Sequence, residues 1–390
     1  MVVAEEIDTL LDVRNLSVDY AAANGTVHAA TNVNFTLKRG EILGLAGESG
    51  SGKSTLAYAI SRLLRPPAEI VGGEVIYYPR SRDDADAVYI TPSSSRLKNG
   101  KRSARDANEG EPLDILQLTP AQLRAFRWSE LAIVFQSAMN ALNPVMNIGK
   151  QMMDVLKVHR PLMGPDSRKQ RALELLKLVG IAPDRINSYP HELSGGMRQR
   201  AVIAIALALS PEIIIMDEPT TALDVVVQRE ILMEIIRLRE QLGFSVIFIT
   251  HDLSLLLELA DKVAIMYAGK LVETASRSDL YQHPRHPYSY GLLKSFPTIY
   301  GPRRIMTGIP GSPPDLRNVP SGCAFHPRCP LAFDACHSVV PTLQPSASES
   351  PEQLVSCHLY NGQLSPNGIP STSDFAQKYQ ALATQRGKAE

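Results

Sequence analysis

The chain has 390 residues, with 40 Lys plus Arg set against 40 Asp plus Glu, 44% hydrophobic residues and 21% charged. That balance belongs to a globular chain with room for two or three domains and a core that needs no disulfide or metal staple. It excludes a binder of phosphate backbones that works through net positive charge, so no nucleic-acid partner is expected.

The first residues, MVVAEEIDTL, place two glutamates where a signal peptide would carry positive charge, so a cytosolic chain is expected. Alternation over 11–20 and 27–37, around Asn24-Gly25, predicts an antiparallel hairpin. A short apolar strand over 41–46 runs into GESGSGKS, and apolar spacing over 53–64 predicts a helix after it. A polar insertion follows at about 79–112, its basic run RLKNGKRSAR offset by Asp106, Glu109 and Glu111. Helical periodicity without strand signals then marks an inserted helical subdomain at about 137–210. The runs from Ala201 and Ile213 are broken by Ser210, Pro211 and Glu212 and fall short of the roughly 20 residues that span a bilayer. Compact apolar runs at 213–216, 246–249 and 263–266, with helical segments between them, predict a parallel sheet covered by helices. From Pro284 to Pro351 lie thirteen of the 28 prolines and three of the four cysteines, with Cys357 just beyond, so an appended, loop-rich module is expected there. The polar tail from 365 to 390 is expected to be disordered or a frayed helix.

GESGSGKS, Gly47 to Ser54, fits a phosphate loop between a strand and a helix. Gly47, Gly50 and Gly52 let the loop turn its amides, with those of Glu48, Ser49 and Ser51, toward phosphate oxygens. Lys53 reaches the β and γ phosphates, and Ser54 ligates magnesium, with Thr55 beside it. IIIMDEP puts Asp217 and Glu218 at the end of a buried strand, Asp217 for magnesium and Glu218 for the attacking water.

With LSGGMRQR, 193–200, just upstream of that acidic pair, the chain resembles the ATP-binding cassette family. The resemblance covers roughly 10–360. It implies a RecA-like α/β core with an antiparallel β-subdomain and an inserted helical subdomain, spanning about 7–283. Gln136 in IVFQ resembles the Q-loop glutamine, a ligand of magnesium; Ala222-Leu223-Asp224 resembles the D-loop; and His251 in FITHD the switch histidine. Tyr20 corresponds to the aromatic residue that stacks on adenine. Two cassettes of this family pack head to tail, so Ser194, Gly195 and Gly196, which open a helix, would meet the nucleotide of a partner.

All four cysteines, Cys323, Cys329, Cys336 and Cys357, have intervals of five, six and twenty residues, and a reduced compartment favours metal over disulfides. Four thiolates suit a tetrahedral zinc or a 4Fe-4S cluster. YQHPRHPYSYGLLKSFP, IPGSPPDL and GCAFHPRCPLAFDAC, with NALNPVMNIGKQ, resemble the oligopeptide and dipeptide importer ATPases. The resemblance implies a 4Fe-4S cluster on those cysteines within an extension over 284–364. It also implies an ATPase that energises peptide import at the cytoplasmic face of the membrane, in a heterodimer with a second cassette. Two transmembrane permease subunits and an extracellular binding protein complete the assembly. Oligosaccharide or nickel cargo, or a soluble cassette acting in DNA repair or translation, are the alternatives.

Overall fold

The computed structural model describes residues 8–23, 25–80, 111–136, 141–221, 223–295, 308–346, 350–365 and 368–386. Most of the expected polar insertion, with Asn24 and Ala222, lies outside these residues.

The long hairpin strands β1 (Thr9–Ala22) and β2 (Gly25–Lys38) lead to β3 (Ile42–Ala46) and α1 (Lys53–Ile60). Next come β4 (Ala68–Tyr77), β5 (Leu113–Asp114), α2 (Pro120–Ser129) and β6 (Leu131–Val134). The stretch expected to be helical holds α3 (Ile148–His159), α4 (Pro165–Leu178) and α5 (Gly195–Ala206). The core then alternates: β7 (Ile213–Asp217), α6 (Val225–Leu242), β8 (Ser245–Ile249), α7 (Leu253–Leu259), β9 (Lys262–Tyr267) and β10 (Lys270–Ser276). The remainder holds α8 (Arg277–Gln282), α9 (Pro287–Lys294), α10 (Asp334–Ser338), β11 (Gln344–Pro345), β12 (Leu354–Val355) and α11 (Thr372–Arg386).

Two sheets result. One is antiparallel, in the order β2-β1-β4-β5; the other runs β11-β12-β10-β9-β3-β8-β7-β6, with β9, β3, β8, β7 and β6 parallel. Successive side chains of a strand point to opposite faces, and here the two faces serve different cores. Ile214, Met216, Val246 and Phe248 face the core shared with the helices, while Ile213, Ile215, Ile247 and Ile249 face the core shared with the antiparallel sheet and α1. Strands apolar on both faces are therefore buried through their whole length.

Helix ends follow local chemistry. The Thr119 hydroxyl accepts from the Gln122 amide and Gln122 returns the bond, a capping box that opens α2. Asn147 caps α3, and Gly243, at φ +74°, ends α6.

Two features of the C-terminal part go beyond what the sequence led one to expect. The extension does not stand apart, because β12 pairs with β10 through Glu273↔Val355 and Thr274↔Leu354 and so lengthens the main sheet. The tail, expected to be disordered or a frayed helix, holds α11, whose Phe375 and Tyr379 are buried against Tyr290. Two aromatic rings four residues apart share one helix face and outweigh the polar composition around them.

Candidate functional site

Four parallel strands end at one edge of the sheet, where α/β folds present ligand groups. Gly47 follows β3, Gln136 follows β6, Glu218 follows β7 and His251 follows β8. Residues far apart in sequence are thereby brought into one cluster.

The loop between β3 and α1 is tightly packed from below. A Cβ on Gly47 would lie 2.2 Å from the Met266 carbonyl oxygen, and one on Gly52 2.0 Å from that of Ala29, so only glycine fits either position. No side chain caps α1, so its first amides and positive end are turned to the loop. The Lys53 ammonium donates to the carbonyls of Gly47 at 2.8 Å and Glu48 at 2.9 Å and to the Ser51 hydroxyl at 3.2 Å. Burial lowers its pKa, opposed by the charges of Glu218, Asp217 and Glu48. Ser49 and Gly50 lie exposed at the loop's tip. Thr55 meets the Tyr20 hydroxyl at 3.1 Å, which sets Tyr20 of β1 beside the loop.

Asp217 is wholly buried. The Ser54 hydroxyl donates to its Oδ1 at 3.0 Å, while its Oδ2 has no hydrogen-bond partner. Burial raises its carboxyl pKa, and the bond from Ser54 opposes that rise. An orphaned buried carboxylate oxygen beside a serine hydroxyl is a donor set that suits a hard divalent cation, so these residues fit magnesium.

Glu218 stands next to Asp217 with φ +46°. The Gln136 amide and the Thr221 hydroxyl both donate to its Oε2 at 3.1 Å, and His251 Nδ1 lies 3.1 Å from its Oε1. The expected Lys53, Ser54, Gln136, Asp217, Glu218 and His251 therefore form one connected site.

The second expected anion site lies elsewhere. Ser194 caps α5 by accepting from the Met197 amide at 3.3 Å, ahead of Gly195 and Gly196, and Asp224 caps α6 through the Val227 amide at 3.0 Å. Among the described residues, no hydrogen bond or ion pair joins these four to the phosphate loop.

Sequence reasoning missed three residues. Thr221 is only three positions from Glu218, and Tyr58, beside Asp217, is one helical turn after Ser54 on α1, so spacing could have found both. Arg328, which holds Glu48 with both nitrogens of its guanidinium fork at 2.6 and 2.9 Å, is 280 residues away and left no local signal.

The metal-binding extension is not what the geometry shows. The four cysteines do approach one another, and Cys323 donates its amide to the Cys336 carbonyl at 2.9 Å. Yet among the described residues no group of three His, Cys, Asp or Glu is arranged to hold a metal ion, so the geometry lends the metal-binding reading of the extension, cluster or zinc, no support. Desolvation raises the pKa of all four thiols, and in this state they pack as small apolar groups.

Comparisons with known proteins agree with this geometry. A protein-family model described as "ABC transporter" matches residues 30–221, and one described as "Oligopeptide/dipeptide transporter, C-terminal region" matches 272–336. The chain is 42% identical over 340 residues to the probable peptide ABC transporter ATP-binding protein y4tR of Sinorhizobium fredii, covering 86% of this chain and 91% of that protein. It is 42% identical to the oligopeptide transport ATP-binding protein OppD of Bacillus subtilis, covering 84% and 83% of the two chains. To the protein of the same name in Escherichia coli it is 38% identical, covering 86% and 90%. A solved dimer of the ATP-binding cassette MJ0796 bound to ADP and Pi superposes with a TM-score of 0.53 at 26% identity, covering 69% of this chain and 99% of that one.

Proposed function

The chain belongs to the ABC transporter family, among the ATP-binding subunits of the oligopeptide and dipeptide importer type, and from this premise we propose that it hydrolyses ATP at the Lys53, Asp217 and Glu218 cluster to drive peptide import. The observation that carries the reading is the convergence of Ser54 with Asp217, and of Gln136 and His251 with Glu218, on one edge of the sheet.

In this reading the amides of Gly47 to Thr55 and the Lys53 ammonium hold the phosphates, and Tyr20 stacks on the adenine. Ser54, Asp217 and Gln136 would hold a magnesium ion, which when bound neutralises charge on the phosphate oxygens. Glu218 orients the attacking water and takes its proton, while Gln136, Thr221 and His251 fix the direction of its two oxygens. His251 also contacts the γ-phosphate. Ser194, Gly195 and Gly196 serve the nucleotide of a second cassette, and Asp224 lies at the contact between the two. This explains why they sit on separate helices away from the loop.

No described helix is long and apolar enough to cross a membrane. Two permease subunits then supply the path, a binding protein delivers the cargo, and a second cassette completes a heterodimer on the cytoplasmic face. The test is ATP hydrolysis by the assembled complex challenged with di- and oligopeptides, oligosaccharides and nickel. Peptides are expected to stimulate it; stimulation by sugars or nickel alone would reassign the cargo.

We propose the iron–sulfur reading of Cys323, Cys329, Cys336 and Cys357 on the resemblance of GCAFHPRCPLAFDAC to the importer ATPases, beside the mutual approach of the four thiols. Chain purified without oxygen is expected to carry about four irons and matching acid-labile sulfide. A colourless, iron-free chain that binds ATP normally would rule it out.

A further inference from the structure

Arg328 lies on the short 3-10 turn His326–Arg328 of the C-terminal extension, yet its side chain points at the phosphate loop. Only 6% of that side chain is exposed, so its charge must be satisfied from within. All five of its N–H groups are used. Nε donates to the Pro310 carbonyl at 2.7 Å, Nη1 to Glu48 at 2.6 Å and Tyr267 at 3.3 Å, and Nη2 to Glu48 at 2.9 Å and the Gly311 carbonyl at 3.3 Å. The rings of Tyr267 and Phe325 flank the guanidinium.

Glu48 is the loop's own acid, the second residue of the phosphate motif. Its carbonyl accepts from Lys53, and its carboxylate is near enough for the two charges to interact. A free carboxylate here would repel an incoming triphosphate and compete for the lysine meant to hold it. The Glu48 amide, meanwhile, donates to the Tyr288 hydroxyl at 2.9 Å, so the loop is anchored on the same side by α9.

We propose that Arg328 is a positioning residue for nucleotide binding: by pairing with Glu48 it cancels the loop's negative charge and frees Lys53 for phosphate. The C-terminal extension thus sets the ATP affinity of the cassette. This rests on the ATPase reading above and goes beyond it, because it assigns the extension a part in nucleotide capture.

The test is ATP binding by the full chain, titrated by fluorescence, in single and double variants. Arg328→Met leaves Glu48 uncompensated and is expected to raise the Kd for ATP at least tenfold. Arg328→Lys keeps a positive charge and recovers most of the affinity. The decisive variant is the double change of Arg328→Met with Glu48→Gln, which removes both charges and is expected to return the Kd to within about threefold of the unaltered chain. An arginine that merely supports the fold would not be rescued by losing its partner's charge. If Arg328→Met does not fold, Arg328→Gln, which keeps amide donors for Pro310 and Gly311, replaces it with the same expectation. Normal affinity in the neutral single variant, or a double variant no better than the single, would overturn this proposal alone. Failure of the unaltered chain to bind ATP would overturn the ATPase reading and this proposal with it.

Discussion

At Glu218, side chains from three segments meet one carboxylate: Gln136 after β6, Thr221 in the following turn and His251 after β8. These three contacts fix the direction in which the two carboxylate oxygens face. Replacing Glu218 with Gln retains the shape and the partners but removes the base. Glu218→Gln is therefore expected to bind ATP as the unaltered chain does while hydrolysis falls at least ~100-fold, as read by phosphate release beside nucleotide titration. Turnover that survives the change would assign the chemistry to another group. Asp217, one position earlier, is more deeply buried: it lies inside, with one oxygen unpartnered, as a cation ligand should.

Among the elements, α11 shows how few residues decide whether a segment docks. Phe375 and Tyr379 pack their rings on Tyr290 at centroid distances of 5.6 and 5.4 Å, and the Tyr379 hydroxyl donates to the Pro287 carbonyl at 2.8 Å. Removing a buried phenyl ring costs about 3–5 kcal/mol. Phe375→Ala is accordingly expected to abolish amide-exchange protection across α11, as read by hydrogen exchange. Protection that stays at its original level would show that the helix is held by something else. The short β12 acts in a similar way, since two residues paired to β10 suffice to join the extension to the main sheet when Val355 is buried beneath them.

For the whole molecule, the junction of β10, α9 and the extension is a buried polar network. Glu273, fully inside, accepts from the amides of Arg285 and His286 at 2.8 Å each and from Gln353 at 3.1 Å. His286 Nδ1 accepts from the Tyr288 amide at 3.0 Å, which requires a neutral ring. Burial pushes the His286 pKa down to about 3, whereas in an unfolded chain it stays near 6.5. As the pH falls below about 6.5, the unfolded chain takes up a proton that the folded chain refuses, so stability is full above that pH and is lost progressively toward 3. The expected slope is at most ~1.4 kcal/mol per pH unit. Urea unfolding between pH 7 and 5 should show it, and His286→Gln, which can still accept from Tyr288, should flatten it; an unchanged slope would place the proton uptake elsewhere.

Much of the site was legible because its chemistry is local. The phosphate loop needs glycines, a lysine and a serine in consecutive positions, and an acidic pair must end a buried strand, so order along the chain already dictates contact with phosphate and cation. Apolar runs likewise announced the parallel strands, because a strand covered on both faces has no polar side to display. What sequence could not supply was the pairing of distant segments. That Arg328 reaches Glu48, that β12 joins the main sheet, and that a polar tail docks through two rings all depend on how segments from tens to hundreds of residues apart are folded together. Motifs are written by short-range chemistry, and only the tertiary packing, which balances burial against charge over the whole chain, decides which distant side chains finish them.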